Sequence, residues 1–88
     1  MRSIGPMTHI TLYSTEWCGY CRMLRRELAA KKIDYKLVDI DVFEDAGRYL
    51  ASITGGKRSI PTVEYSDGTV AINPSIREVE TKLAELEA

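Results

Sequence analysis

The chain has 88 residues, which leaves room for one hydrophobic core and therefore for one domain. Its composition, 44% hydrophobic and 28% charged, is that of a soluble globular protein and argues against disorder or a fibrous repeat. A formal net charge of -1 without a dense Lys/Arg block argues against nucleic acid or a membrane surface as partner, and no apolar run approaches the ~20 residues that cross a bilayer.

Residues 1–7, with Gly5-Pro6, carry no periodicity and read as a frayed leader or a cloning remnant, Met7 offering a second start. They hold no signal-peptide hydrophobic stretch, so the expected compartment is the cytoplasm. Residues 8–88 form the expected domain. From Thr8 to Ser14 the chain alternates, with Ile10 and Leu12 on one side and Thr11 and Tyr13 on the other, which predicts a first strand. The loop Thr15-Glu16-Trp17 leads into a helical segment in which Cys21, Leu24 and Leu28 recur at spacings of three and four. Cys18 falls at the mouth of that helix and Cys21 in its apolar stripe, so Cys18 is the sulfur expected to be more exposed.

Tyr35 to Ile40 predicts a second strand, whose Leu37, Val38 and Ile40 suit a strand covered on both faces. A helix between two strands implies a parallel, right-handed crossover. Asp41 or Asp45 is expected to open a second helix along Phe43, Ala46, Leu50 and Ile53, ended by Gly55-Gly56. Pro61 to Ser66 predicts a third strand, and Asp67-Gly68 a tight hairpin into a short antiparallel fourth strand, Val70 to Ile72. The closing helix shows Ile76, Val79, Leu83 and Leu86 on one face. Two start signals compete there: Asn73 as cap with Pro74 at the first position, or Ser75 with Glu78 as a capping box. The whole is an α/β domain with a four-stranded mixed sheet and three helices.

The two cysteines, three residues apart, close too short a loop to staple the fold, so their value is chemical. Structural zinc sites usually take four ligands, and Cys18, Cys21 and His9 fall short of that unless a second chain lends one. A haem attachment needs His after the second cysteine, where Arg22 stands. Disulfide exchange remains. Its nucleophile is the thiolate, and an unperturbed thiol with a pKa near ~8.5 is mostly protonated at neutral pH. The unsatisfied N–H groups and partial positive charge of a helix N-terminus act on Cys18 in the direction the chemistry needs. Arg22 either adds a positive charge or is a solvated surface residue. Cys21, one turn on, can close a local disulfide and resolve an intermediate.

Tyr13-Ser14, then Trp17-Cys18-Gly19-Tyr20-Cys21, then Ser59-Ile60-Pro61-Thr62 after a helix, together resemble the glutaredoxins, of thioredoxin-like fold, over about residues 8 to 87. Trp17 is a thioredoxin-like touch; Tyr20 before the second cysteine is glutaredoxin usage. With Gly55-Gly56-Lys57-Arg58, Asp67-Gly68 and Asn73-Pro74-Ser75, the pattern looks most similar to the mycoredoxins of actinobacteria, which use mycothiol in place of glutathione. Two departures agree. The Lys that many glutaredoxins carry three residues before the first cysteine is Thr15, and the Gly-Gly region that meets the γ-glutamyl end of glutathione reads Asn73-Pro74-Ser75. Mycothiol, with a sugar–inositol body, suits a pocket without charge partners; Lys57 and Arg58 can still hold a carboxylate.

The resemblance implies Cys18 as nucleophile and Cys21 as resolving thiol. It further implies a substrate and thiol site of Tyr13, Trp17, Gly19, Tyr20, Arg58, Ser59, Ile60 and Pro61, with a cis Ile60–Pro61 bond. Each of the three aromatics reads equally as packing, and His9 as a solvated strand residue. No tightly bound cofactor and no metal is expected. The implied partners are mycothiol and mycothiolated proteins, a peroxiredoxin being one example, acted on by a monomer. Two rival implications stand beside it: a redoxin fed by glutathione or thioredoxin reductase that donates electrons to ribonucleotide reductase, and a carrier bridging an iron–sulfur cluster between two chains.

Overall fold

The computed structural model describes residues 8–56 and 59–87; the expected leader, Lys57 and Arg58 lie outside them. The elements run β1 (Ile10–Ser14), α1 (Gly19–Ala30), β2 (Lys36–Asp39), α2 (Glu44–Ile53), β3 (Thr62–Tyr65), β4 (Val70–Ile72) and α3 (Ile76–Glu87). The sheet order is β2-β1-β3-β4. β1 pairs parallel with β2, Leu12 opposite Leu37, and antiparallel with β3, Leu12 opposite Val63. β4 closes the other edge antiparallel to β3.

β1 is central, and its alternation serves two layers. Ile10 and Leu12 point to one face, where Leu24 and Leu28 of α1 and Val79 of α3 complete a buried cluster with Val63 and Tyr65. Tyr13 points to the other, against Ile40 and Leu50 of α2. One strand thus sorts the helices, α1 and α3 on one side and α2 on the other.

Three expectations are corrected. β2 is an edge strand and is not covered on both faces: Lys36 and Leu37 are exposed, while Val38 packs on the cluster of Tyr13, Ile40 and Leu50. Neither Asp41 nor Asp45 caps α2. The N-cap is Phe43, with extended backbone and no side-chain cap bond, while Glu44 and Asp45 occupy the first turn, where carboxylates face the positive end of the helix. Phe43, outside the helical turns, leaves the apolar stripe and is exposed. β1 and β3 are also shorter than Thr8–Ser14 and Pro61–Ser66, Pro61 having no N–H to give the ladder.

The helix ends follow local rules. α2 finishes at Thr54, with Gly55 at φ 79 and the Gly56 N–H donating to the Ala51 carbonyl at 2.6 Å. α1 finishes the same way without glycine: Lys32 stands at φ 58, its N–H donates to the Ala29 carbonyl at 3.0 Å, and the Ile33 N–H to that of Leu28 at 2.9 Å. At α3 the competition is decided for Ser75 and Glu78. The Ser75 N–H donates to Glu78 Oε1 at 2.8 Å and the Glu78 N–H to Ser75 Oγ at 3.1 Å, a reciprocal capping box. The β3–β4 turn places Gly68 at φ 92, with the Tyr65 N–H donating to the Thr69 carbonyl at 2.8 Å.

Candidate active site

Cys18 is the N-cap of α1. Its backbone is extended, its carbonyl accepts the first helical bond from the Arg22 N–H at 3.1 Å, and its Sγ accepts from the Cys21 N–H at 3.2 Å. A sulfur thus takes the place that a Ser, Thr or Asp oxygen usually fills. The sulfur thus sits at the positive end of the helix, with an N–H directed at it.

Both thiols are free. Both are also largely covered, Cys18 at 8% exposure and Cys21 at 0%. The order is the expected one, with a narrower margin than the position of Cys18 at the helix mouth implies. Burial pushes the Cys21 thiol up to about 12, its contact with Cys18 adding to the rise, while the Thr15 backbone and Arg25 pull the other way. At neutral pH Cys21 is therefore a protonated thiol beside an acceptor sulfur. Gly19 begins the helix, and a Cβ built on it meets nothing within 4 Å.

The chain before β3 supplies a second segment. The Ile60–Pro61 bond is cis. Pro61 is buried, its carbonyl accepts the Asn73 N–H at 2.7 Å, and Ile60 packs on the Tyr13, Ile40 and Leu50 cluster. Ser59 is half-buried, its carbonyl accepting the Thr62 hydroxyl at 2.7 Å. Arg58 lies outside the described residues.

The three aromatics divide. Trp17 at 69% and Tyr20 at 64% exposure flank the cysteines in sequence and face solvent. Trp17 is tethered, its Nε1 donating to Asp41 Oδ2 at 2.8 Å, and Asp41 is set by its own N–H donating to Asp39 Oδ1 at 2.9 Å. Tyr13 instead is buried, with its hydroxyl donating to Glu64 Oε1 at 3.0 Å; Tyr49 donates to the other oxygen of the same carboxylate at 2.5 Å. Packing, one of the two readings open for Tyr13, is what this burial describes. Arg22 is exposed, and its guanidinium donates to the Glu16 carbonyl at 3.0 Å. His9 bonds to Ser66 Oγ at 2.7 Å, tying the start of β1 to the turn after β3.

Glu64 is absent from the sequence-based expectations, and Asp41 figures there only as a possible helix start, not as the partner of Trp17. A charged residue inside the strand Thr62-Val63-Glu64-Tyr65 is a signal that could have singled out Glu64; nothing local marks Asp41 as that partner. Beside Tyr20 lies a cleft of about 320 Å³ between α1 and the start of α3, lined by residues that include Glu27, Asn73, Ser75 and Glu78. Among the described residues that line it, the only charged side chains are carboxylates. No helix among the described residues is long and apolar enough to cross a membrane.

Comparison with known proteins gives three findings. The glutaredoxin family pattern matches residues 10–71. Mycoredoxin 1 of Corynebacterium glutamicum is 45% identical over 80 residues, 91% of this chain and 99% of that protein. Two crystal structures share the fold: a glutaredoxin from Archaeoglobus fulgidus, with TM-score 0.71 and 19% identity over 85% of each chain, and the holo form of glutaredoxin C1 from Populus tremula x tremuloides, with TM-score 0.66 and 23% identity over 91% of this chain and 81% of that one.

Proposed function

The chain belongs to the glutaredoxin family and is a thiol–disulfide oxidoreductase built on a Cys-x-x-Cys pair, and we propose that mycothiol is the small thiol it works with. In this reading the enzyme removes mycothiol from proteins held as mixed disulfides, in the cytoplasm, as a monomer.

Cys18 is the attacking sulfur. Its thiolate displaces the protein thiolate from the protein–mycothiol disulfide, forming a Cys18–mycothiol disulfide, and the departing protein sulfur takes up a proton. Two exits follow. A second mycothiolate attacks the mycothiol sulfur, releasing mycothiol disulfide and restoring Cys18. Otherwise Cys21 attacks the Cys18 sulfur, its proton passing to the departing mycothiolate, and leaves a Cys18–Cys21 disulfide that needs two electrons from outside. Either exit discharges Cys18; in the reduced pair, burial holds Cys21 as the neutral thiol. Trp17, Gly19, Tyr20, Ser59, Ile60 and Pro61 form the surroundings of this exchange in the proposal, with Arg58; Tyr13 serves them from the core.

The observation that carries the choice of mycothiol is the cleft beside Tyr20. Carboxylates of Glu27 and Glu78 repel the two carboxylates of glutathione and accept hydrogen bonds from sugar and inositol hydroxyls. Thr15, where many glutaredoxins place a cation, is neutral and buried, and a relative matched over 99% of its own length is a mycoredoxin. The test is reduction of a mycothiolated peptide, coupled in turn to mycothiol, glutathione and thioredoxin reductase. Fastest turnover with mycothiol is expected. Fastest turnover with either rival overturns the choice of thiol, and turnover by Cys18→Ala overturns the nucleophile.

A further inference from the structure

The helix that carries the cysteines also presents a cationic face, of which Arg25 alone acts on the pair, through its charge on Cys21. Arg22, Arg25 and Arg26, at i, i+3 and i+4, share one side of α1, and with Ala29 and Tyr35 they line a cavity of about 350 Å³. Among the described residues none of the three forms an ion pair, whereas Lys31, Arg48 and Lys82 each do. In a chain of net charge -1, acidic side chains were available to neutralise them. Arg25 Nε is buried without an acceptor among the described residues, an uncommon state for a donor. Like charges at these spacings disfavour the helix by themselves, so the cluster is better explained by an anion from outside.

We propose that this cleft docks an acidic segment of the disulfide-bearing protein substrate, its Asp or Glu side chains meeting the three guanidiniums. The proposal rests on the reading of Cys18 as the attacking sulfur. Guanidinium forks suit carboxylates, and the apolar floor of Ala29 and Tyr35 suits the backbone and methylenes that carry them. From Arg22 to Ala29 the helix rises about 10 Å, which matches roughly three residues of extended chain, a length better filled by a peptide than by a single small anion. The bond from Arg22 to the Glu16 carbonyl fixes one end of the cleft two residues ahead of Cys18. A segment lying there brings a neighbouring disulfide toward that sulfur.

The experiment uses two peptides that differ only in carrying Asp and Glu, or Asn and Gln, beside a cysteine held as a mixed disulfide with 2-mercaptoethanol. Each is reduced in a single turnover by the dithiol protein, with bis(2-hydroxyethyl) disulfide as the uncharged control. The acidic peptide is expected to react about fivefold faster at low salt, and the preference should fade at high salt. Arg26→Gln should weaken the preference and Arg26→Glu abolish it, both leaving the control rate unchanged. Equal rates for the two peptides on the wild type, or a preference that survives Arg26→Glu, would overturn the docking. A second arm is independent of the sulfur: a cysteine-free acidic peptide added to Cys18→Ser protein should shift the amide resonances of residues 22–29, and unmoved resonances count against the cleft. Failure of the control disulfide to react strikes the assignment of Cys18 alone, with docking then decided by the resonances.

Discussion

The amide nitrogen of Cys21 donates to the sulfur of Cys18 over 3.2 Å, so one cysteine's backbone serves the other's side chain. The two thiols are made unequal by this arrangement, because Cys18 gains a donor while Cys21 loses water. With the Cys21 thiol pushed up to about 12, its ionised fraction at pH 8 is on the order of 10⁻⁴. Brief treatment of the native protein with iodoacetamide at pH 8 should therefore add one group, at Cys18, and Cys18→Ser should take up none. In denaturant both should react. Mass spectrometry of the intact protein reads this directly, and two adducts formed at equal rates on the folded protein would contradict it.

Trp17 and Asp41 join the loop before α1 to the loop before α2. Both are exposed, so the bond contributes modestly, about 0.5–1 kcal/mol. Trp17→Phe and Asp41→Ala should each cost that much in denaturant unfolding, and the double variant no more than either alone. Because the chain has one tryptophan, its fluorescence reports the tether: Asp41→Ala should move the emission, and Asp41→Asn, which keeps an acceptor, should move it less.

Glu64 receives the hydroxyls of Tyr13 and Tyr49, whose rings lie 6.1 Å apart. Burial raises the Tyr13 phenol well above its ordinary value, and the hydrogen bond and charge of Glu64 raise it further; for Tyr49 the bond to Glu64 is the main cause. A raised phenol favours folding while it is protonated. Its contribution is complete below about pH 10, the ordinary phenol value, and is lost as pH rises beyond it. Glu64→Gln should thus bring tyrosinate absorbance in at lower pH and make alkaline loss of stability shallower. At pH 7 Glu64→Ala should cost about 1–3 kcal/mol, since it leaves the buried Tyr13 hydroxyl without its acceptor.

What could be read from the sequence were relationships spanning one turn or one strand. Cys21, Leu24 and Leu28 share a helix face whatever the fold, and the Ser75–Glu78 box is a local exchange of bonds, recognisable though not separable from its Asn73–Pro74 rival. Glu64 stands 51 residues from Tyr13 and Asp41 24 from Trp17, and no pattern within a window connects them. The edge place of β2 is likewise a property of strand order; Leu37, Val38 and Ile40 read alike at a centre and at an edge. The cis Ile60–Pro61 bond came from family resemblance alone, since few X–Pro bonds are cis.

Asp67 links the β3–β4 turn to α3. Its carboxyl is held well below the usual carboxylate range, first by the Lys82 ammonium at 2.7 Å and then by the Thr69 hydroxyl and N–H. A lowered carboxyl favours folding above its ordinary value near ~4, and that contribution is lost as pH falls below it. Acid unfolding of Asp67→Asn should begin with a shallower decline than that of the wild type. Lys82→Met should weaken the same limb and also remove the ammonium 5.8 Å from the centre of the Tyr65 ring. Circular dichroism between neutral pH and about pH 2 separates the three proteins, and coincident curves would mean that the pair carries no pH-dependent stability.

Lys32 does for α1 what Gly55 does for α2, and at greater cost. At φ 58 its Cβ crowds the backbone, a position worth about 1 kcal/mol to glycine, which has no Cβ. The motif still closes because the Lys32 and Ile33 N–H groups satisfy the Ala29 and Leu28 carbonyls, and Ile33 folds back onto the core beside Leu28. Lys32→Gly should keep both bonds and relieve the crowding, offset in part by the greater freedom of glycine in the unfolded chain. The net expectation is stabilisation by about 0.5–1 kcal/mol in denaturant unfolding with an unchanged m-value. Lys32→Val should move the other way, because a β-branched side chain tolerates this backbone least. Lys32 is exposed and lines neither the cleft beside Tyr20 nor the arginine cavity of α1, so reduction of small disulfides should be unaffected in both variants. A glycine variant less stable than the wild type would show that α1 ends differently from the Schellman geometry described.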